Sequence, residues 1–282
     1  MEVNKFTIGG LRLSNGPRKF LPGLPSVSVV IAVFNRVQFL RETIDSILEQ
    51  DYPNIELVVV DGGSTDGTLD ILYEYKESID YWISEPDAGI SEAFNKAILL
   101  STGDYINFQG AGDLLTYPSV VSRVMIGVDK SKDMFVSARI QRVSESNIKK
   151  IILVAPTKFT KKFNKLSLLF KMTLPHQGLL TNRIIFNTYG VFDTNLSYSM
   201  DYDHLLRVYK NFPAVLMRDE ILSSWRDGGV GSGKIIEVLN EYNKIKKKNK
   251  VAPKLILFLL HILILSKFFL KSFMQLIKII EK

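Results

Sequence analysis

The chain has 282 residues, of which 46% are hydrophobic, so it is long and apolar enough for one large α/β domain and is not a small disulfide-stapled fold. It contains no cysteine, which excludes disulfide bonds and thiolate metal sites and leaves oxygen and imidazole groups as metal ligands. The net charge is +7, but the 49 residues from Lys234 onward carry +8 and the rest carries −1, so we expect no nucleic-acid partner.

The first half of the chain alternates between β-branched runs and amphipathic segments, after an arm of 24 residues that we expect to be irregular. The arm lacks the continuous apolar segment of a signal peptide, and together with the missing cysteines this favours a cytoplasmic setting. The alternation predicts an open, mostly parallel sheet flanked by helices. Strands are predicted at 27–34, 55–63, 80–84 and 104–110, and helices at 38–50, 68–76 and 90–101.

The pattern is looser after residue 130. A helix begins near residue 200 with Asp201 and Asp203 in its first turn, where the helix dipole favours carboxylates. The glycine-rich segment 223–233 predicts a mobile loop. Two further strands are predicted at 134–140 and 148–155, and a further helix at 162–170.

Polar residues cluster directly after the predicted strands. Asn35 follows the first strand, Asp61 ends the second, Asp87 follows the third and Asp113 follows the fourth. Any one of them can simply form a turn, as loop Asp and Asn residues often do. Since the carboxyl ends of parallel strands meet at one edge of the sheet, where open α/β sheets bind ligands, the four together predict a binding site.

The C-terminal segment is both basic and apolar. Six lysines between residues 244 and 254 precede the apolar run 255–265, which is too short to span a bilayer as a helix. Polar residues then recur every three or four positions, which predicts a basic amphipathic helix that contacts the membrane surface through residues 244–282. Packing on the protein's own domain or on a second subunit is the alternative. The polar stripe consists of Lys267, Lys271, Gln275, Lys278 and Lys282.

Seven motifs occur in the order found in one enzyme family. They are VSVVIAVFNR (27–36), VVVDGGSTDGT (58–68), SEPDAGISEAFNKAI (84–98), GDYINFQGAGD (103–113), PHQG (175–178), GVFDTNLSYSMDYD (190–203) and WRDGGVG (225–231). Through them, residues 26–230 resemble family 2 glycosyltransferases, inverting enzymes with the A-type nucleotide-sugar fold. The likeness is greatest to the bacterial branch that builds surface polysaccharides. The resemblance implies a Rossmann-like, mostly parallel central sheet with a C-terminal amphipathic helical extension.

The resemblance also implies a nucleotide-diphosphate sugar as donor, with UDP, GDP and dTDP left open. Lys96 either reaches a donor phosphate or is a solvated helix lysine, and Arg226 belongs to a lid that pairs with the diphosphate. The implied donor-binding residues are Ala32, Val33, Asn35, Asp61, Asp87, Gly89, Asn95, Lys96, Gly112 and Arg226.

Members of this family end the fourth strand with two acids that hold Mg²⁺ or Mn²⁺ on the diphosphate. Here that position reads Ala-Gly-Asp, so only the last acid is present, and Asp113 is either the metal ligand or a turn residue. The resemblance makes Asp201 the base that deprotonates the acceptor hydroxyl, with Asp203 as the alternative. It places His176 and Gln177 near the acceptor or the diphosphate.

The function so predicted is metal-dependent transfer of one sugar to a saccharide or lipid-linked acceptor in cell-surface polysaccharide biosynthesis, at the inner face of the cell membrane. A homo-oligomer stays open. The missing acid motivates one alternative, a nucleotide-sugar-binding protein that has lost catalysis. A nucleotidyltransferase would need a basic, glycine-rich phosphate loop after the first strand, which is absent from the sequence. The predicted divisions are an arm at 1–24, a nucleotide-sugar-binding subdomain at 25–130, an acceptor-binding and catalytic subdomain at 131–232, and membrane-associating helices at 233–282.

Overall fold

The computed structural model describes residues 6–229, 231 and 233–280, without the side chains of 271, 272 and 275–280. Its strands are β1 (Thr7–Gly9), β2 (Val27–Val33), β3 (Ile55–Asp61), β4 (Tyr81–Ser84), β5 (Tyr105–Gly110), β6 (Leu114–Leu115), β7 (Phe135–Val143), β8 (Ile151–Ala155), β9 (Leu179–Asn182) and β10 (Val215–Arg226).

Helices separate most of these strands. They are α1 (Arg12–Asn15), α2 (Val37–Leu48), α3 (Thr68–Glu74), α4 (Ile90–Leu100), α5 (Val120–Met125), α6 (Arg183–Tyr189), α7 (Met200–Arg207), α8 (Ile235–Lys248) and α9 (Lys254–Ile280). Two short 3-10 helices span Lys165–Leu169 and His176–Gly178.

All the described strands belong to one sheet. Its order is β1-β4-β3-β2-β5-β9-β7-β10-β6, and β8 pairs with residues 140–143 of β7. The centre, β4-β3-β2-β5, is parallel, whereas β1 and β9 run antiparallel to their neighbours and make the sheet mixed. The predicted α/β class is therefore confirmed, and the parallel centre brings the carboxyl ends of four strands to one edge.

Strand β2 explains why this centre is stable. All seven of its residues are buried, as its continuous β-branched run predicts for a strand covered on both faces. Val29 and Ile31 pack among residues of α2, α3 and α5, while Val30 packs among residues of α4 on the opposite face. Each fully buried Val or Ile contributes roughly 1.5–3 kcal/mol, so the site edge stands on a rigid layer.

Three sequence predictions need correction. The arm is not irregular throughout, because β1 and α1 are held by tertiary contacts: Arg12 forms a 2.7 Å ion pair with buried Glu56. The segment 162–170 holds a 3-10 helix, where the Asn164 side chain accepts a hydrogen bond from the Leu166 amide. The predicted mobile loop begins too early, since β10 continues to Arg226 through pairing with β6 and β7.

The C-terminal extension is helical, as predicted. Helix α8 packs against α7 and α9 packs against α8, and Leu257 of α9 is buried. Most other apolar side chains described on α9 are exposed, including Phe258, Leu259 and Phe273. None of the helices in the described part of the chain combines the length and hydropathy that a membrane span requires. In the predicted polar stripe, the side chains at 271, 275 and 278 and the whole of residue 282 lie outside the described part.

Candidate active site

Two loops at the carboxyl edge of the sheet are tied together by Asn35. This residue has a φ of 47°, its backbone amide donates to Ser64 Oγ at 2.7 Å, and its side-chain oxygen accepts from the Thr65 amide at 2.9 Å. Asp66 adds a further link by accepting from the Val37 amide at the start of α2. The rim of the site is therefore fixed by its own hydrogen bonds, and the Asn35 side chain is already used in them.

An exposed aromatic ring stands beside this rim. Phe34 directly follows β2 and is 60% exposed, although the seven residues before it are buried. The predicted donor residues Ala32 and Val33 are buried, and their carbonyls accept from the amides of Ala111 and Gly62. Sequence reasoning missed Phe34, although an aromatic residue that ends a buried strand at the ligand edge is a recognisable signal.

Asp61 ends β3, and Asp87 lies near it, three residues after β4. Asp61 is fully buried and accepts hydrogen bonds from the hydroxyls of Ser64 and Ser84. Burial raises the pKa of Asp87, and the nearby Asp61 charge raises it further. A Cβ at Gly62 would lie 2.8 Å from Asp87 Oδ2, so glycine is needed for this carboxylate to approach.

Helix α4 carries three predicted donor residues into different environments. Gly89 has a φ of 125° and precedes the helix. The Lys96 ammonium lies 2.8 Å from Glu85 and 3.2 Å from Glu92, so its charge is paired. The Asn95 side chain donates to the Phe192 carbonyl and accepts from the Phe192 amide.

Asp113 lies beyond the end of β5 and is only 5% exposed. Burial raises its pKa to about 6, against the opposing effect of hydrogen bonds from the amides of Gly110 and Arg226 and from the Gln177 side chain. Gly112, with a φ of 113°, donates its amide to Thr43 Oγ1 at 2.8 Å and so fixes the turn. Backbone amides therefore orient the buried Asp113 carboxylate, and burial destabilises its charged form.

Arg226 reaches the same turn from the end of β10. Its Nε donates to the Gly112 carbonyl, its Nη1 donates to the Glu145 carbonyl, and its guanidinium pairs with Glu42 and lies 4.3 Å from the centre of the Phe39 ring. A groove of about 630 Å³ opens beside it, so the arginine lies next to Gly112, with its guanidinium already bound by protein groups.

His176 sits in an aromatic pocket. Its ring stacks on Phe108 at 5.0 Å and meets the edges of Phe94 and Phe192. Burial lowers the pKa of this imidazole, while the nearby Asp201 charge raises it. Within the described residues, the buried Nε2 has no hydrogen-bond partner. A neutral, unsatisfied ring nitrogen is thus held close to Asp201.

The two acids of α7 differ in environment. Asp201 is partly exposed and its Oδ1 accepts from the following amide, that of Tyr202. Asp203 is fully buried: one of its oxygens pairs with Arg207, while the other accepts from Asn249 and lies 3.2 Å from the Lys248 ammonium. Asp201 is therefore the acid of this helix that is available to a ligand.

A divalent cation at this site would need ligands besides the side chains of the protein. No group of three His, Asp or Glu residues among the described residues is arranged to hold a metal ion by itself. Asp113 offers one carboxylate, and Mg²⁺ is commonly bound by one or two carboxylates together with substrate phosphates and water. A single protein carboxylate therefore fits a cation that binds together with a diphosphate ligand and is also coordinated by it.

The sequence is similar to those of known glycosyltransferases. The family model for glycosyl transferase family 2 matches residues 28–190, more than half of the chain. An uncharacterized glycosyltransferase of Rickettsia typhi is 32% identical over 183 residues, which cover 64% of this chain and 57% of that relative. A Mycobacterium bovis glycosyltransferase of PGL/p-HBAD biosynthesis is 29% identical over 220 residues, which cover 76% of this chain and 81% of that relative.

Solved structures give the same result for the fold. S. aureus TarS in complex with UDP aligns with a TM-score of 0.63 and 16% identity over 86% of this chain and 72% of that chain. The mannosyltransferase PcManGT from Pyrobaculum calidifontis, in complex with GDP-Man and Mn²⁺, aligns with a TM-score of 0.61 and 18% identity over 85% of this chain and 69% of that chain. The predicted A-type fold is thereby confirmed.

Proposed function

Because the chain belongs to glycosyl transferase family 2, we propose that it moves a sugar from a nucleotide-diphosphate sugar to the hydroxyl of a saccharide or lipid-linked acceptor, with inversion at the anomeric carbon. One observation carries the proposal. It is the proximity of polar groups from separate chain segments: Asp87 lies near Asp61, His176 lies near Asp201, and Asp113 accepts a hydrogen bond from Gln177, the neighbour of His176.

The donor is held at the ends of β2, β3 and β5. The exposed Phe34 ring offers a stacking surface for a base, and the half-buried Asp87 offers an acceptor for base or ribose groups, while Asp61 is bound by Ser64 and Ser84 behind it. Structural neighbours in complex with UDP, UDP-GlcNAc and GDP-Man support a nucleotide-sugar donor. UDP, GDP and dTDP all remain candidate carriers.

Asp113 is the residue that would hold Mg²⁺ or Mn²⁺ on the donor diphosphate. The bound cation would supply positive charge that stabilises the leaving diphosphate. The Gly110 and Arg226 amides keep the Asp113 carboxylate oriented, and they favour its ionised form against the effect of burial. The cation in turn would favour the ionised carboxylate.

Asp201 acts as general base. It accepts the proton of the acceptor hydroxyl while that oxygen forms a bond to the anomeric carbon from the face opposite the diphosphate. The bond between the anomeric carbon and the diphosphate oxygen breaks, and the nucleoside diphosphate leaves with the electron pair. Burial lowers the pKa of His176 and so favours its neutral imidazole, whose Nε2 has no partner among the described residues and would hydrogen-bond the acceptor or a diphosphate oxygen near Asp201.

The acceptor is membrane-bound in this proposal. The exposed lysines Lys244, Lys247, Lys250 and Lys254 precede the exposed apolar surface of α9, a combination that favours binding at an anionic membrane surface, where each adds roughly 1 kcal/mol. Lys246 is buried and Lys248 pairs with Asp193 and Asp203, so these two do not contribute. The enzyme would then be peripheral at the cytoplasmic face, with residues 25–130 binding the donor and 131–232 binding the acceptor. Burial of α9 in a homo-oligomer is the competing use of this surface.

A second candidate function rests on the missing acid at position 111: a nucleotide-sugar-binding protein without catalysis. Release of nucleoside diphosphate from a panel of UDP-, GDP- and dTDP-sugars with Mn²⁺ separates the two. We expect release from one donor class, and its loss in Asp113→Ala. A donor that raises the melting temperature but is never consumed, with or without acceptor lipid, would instead support the binding protein.

A further inference from the structure

Helix α8 and the residue after it are bound to the segment that carries Asp201 by several polar contacts. The first lies just before α7, where both Glu241 carboxylate oxygens are occupied: Oε1 accepts from the Ser197 amide at 2.8 Å and Oε2 accepts from the Tyr198 amide at 3.0 Å. These two amides stand three and four residues before Asp201. Glu241 therefore fixes the backbone from which the catalytic helix starts.

The second contact lies at the other end of α8. Lys248 bridges two acids, with its Nζ 2.7 Å from Asp193 and 3.2 Å from Asp203, and Asn249 donates to the same Asp203 oxygen. The pKa of Asp193 is lowered to about 2, chiefly by the hydrogen bond from the Lys248 ammonium. Arg207 neutralises the remaining oxygen of Asp203.

Between these two ends the helices are joined by rings. Tyr202 of α7 and Tyr242 of α8 stack with centroids 4.1 Å apart. The segment 190–203 is thus held by α8 at its middle and at its end, while Asn95 of α4 binds it at Phe192. A basic helix that the sequence assigns to the membrane instead directs several polar groups inward.

We propose that α8 is the element that positions the catalytic base, and that Glu241 is a positioning residue for Asp201. This inference rests on the proposed function, because it concerns the base of that reaction. The two hydrogen bonds are made to backbone amides, so they set where α7 begins and which way Asp201 points. A small displacement of a base from its substrate has a large effect on rate and little effect on a distant donor pocket.

The test compares Glu241→Ala with Glu237→Ala, an exposed glutamate one turn earlier on the same helix. We expect Glu241→Ala to lower kcat by about tenfold or more with the donor KM within about twofold of wild type. Glu241→Gln keeps one acceptor oxygen, so its kcat should lie between those of wild type and Glu241→Ala. Hydrogen exchange should accelerate at the Ser197 and Tyr198 amides in Glu241→Ala only.

Three results would overturn the inference: a wild-type kcat in Glu241→Ala, an equal loss in Glu237→Ala, or unchanged exchange at 197 and 198. Asp201→Asn is measured alongside. If wild type releases no nucleoside diphosphate, the proposed function fails. The exchange data still test whether Glu241 holds the Ser197 and Tyr198 amides. If Asp201→Asn is inactive but Glu241→Ala keeps full kcat and wild-type exchange, only the positioning role fails.

Discussion

Asp113 links stability to function, and Asp113→Asn exposes that link. Burial raises the pKa of this carboxyl from 3.8 to about 6, so the folded protein binds a proton more tightly than the unfolded chain does. Ionisation of Asp113 therefore lowers the free energy of unfolding. This loss is absent below the unfolded pKa, grows as the pH rises from about 4 to 6, and is complete above the folded pKa.

The magnitude follows from the two pKa values. A shift of about two units corresponds to about 3 kcal/mol above pH 7, and about half of this is already present at pH 5. Asp113→Asn removes the penalty but cannot accept both the Gly110 and Arg226 amide protons, which costs about 1 kcal/mol at any pH. The mutant should therefore gain about 1.4 kcal/mol relative to wild type between pH 5 and pH 8.

Denaturant unfolding of both proteins at pH 5 and pH 8 measures this difference without metal or donor. Asp70→Asn, which removes an exposed carboxylate at the start of α3, is the matched control for the loss of one charge. A stability difference between Asp113→Asn and wild type that is the same at both pH values would refute the reasoning. Asp113→Asn should also no longer be stabilised by a nucleotide sugar with Mn²⁺.

The remaining predictions concern other parts of the molecule. Phe34→Ala should weaken donor binding by about 1–3 kcal/mol, measured by calorimetry, at nearly unchanged stability, because the ring is exposed; an unchanged donor affinity would exclude base stacking. Arg12→Met should destabilise the fold by about 3–5 kcal/mol, measured by urea unfolding, because it leaves buried Glu56 without its cation; a loss under 1 kcal/mol would contradict this. In flotation assays the protein should bind phosphatidylglycerol vesicles and not phosphatidylcholine vesicles, and exchanging Phe258 and Leu259 for serine should abolish binding; equal flotation with both lipids would exclude the electrostatic contribution.

Much of the fold was predictable because its central strands are locally unambiguous. The β-branched run of β2 and the alternation with helices were sufficient to predict the parallel centre and the site edge. The arm and β10 were not predictable, since β1 depends on pairing with β4 and on the ion pair between Arg12 and Glu56, contacts with distant parts of the chain. Burial of the β10 end beside Asp113 likewise depends on β6 and β7.

The site residues divide in the same way. The turn at Gly112 and Asp113 follows from local spacing, whereas its contact with Arg226 joins distant parts of the chain. The two hydrogen bonds between the Asn95 side chain and the Phe192 backbone were not predictable from the sequence, because they join residues 97 positions apart. The inward use of Glu241 and Lys248 was hidden for the same reason: a charge run looks identical whether it faces lipid or a buried Asp203.

The most direct test of the account is the anomeric configuration of the product. The full chain is incubated with the donor that it consumes, Mn²⁺ and acceptor lipid, and the product is examined by proton NMR for wild type and Asp201→Asn. We predict a product inverted relative to the donor, and a loss of about 10²–10⁴-fold in kcat for Asp201→Asn at unchanged donor affinity. A retained configuration, or a wild-type rate in Asp201→Asn, would contradict the assignment of Asp201 as the base of an inverting transfer.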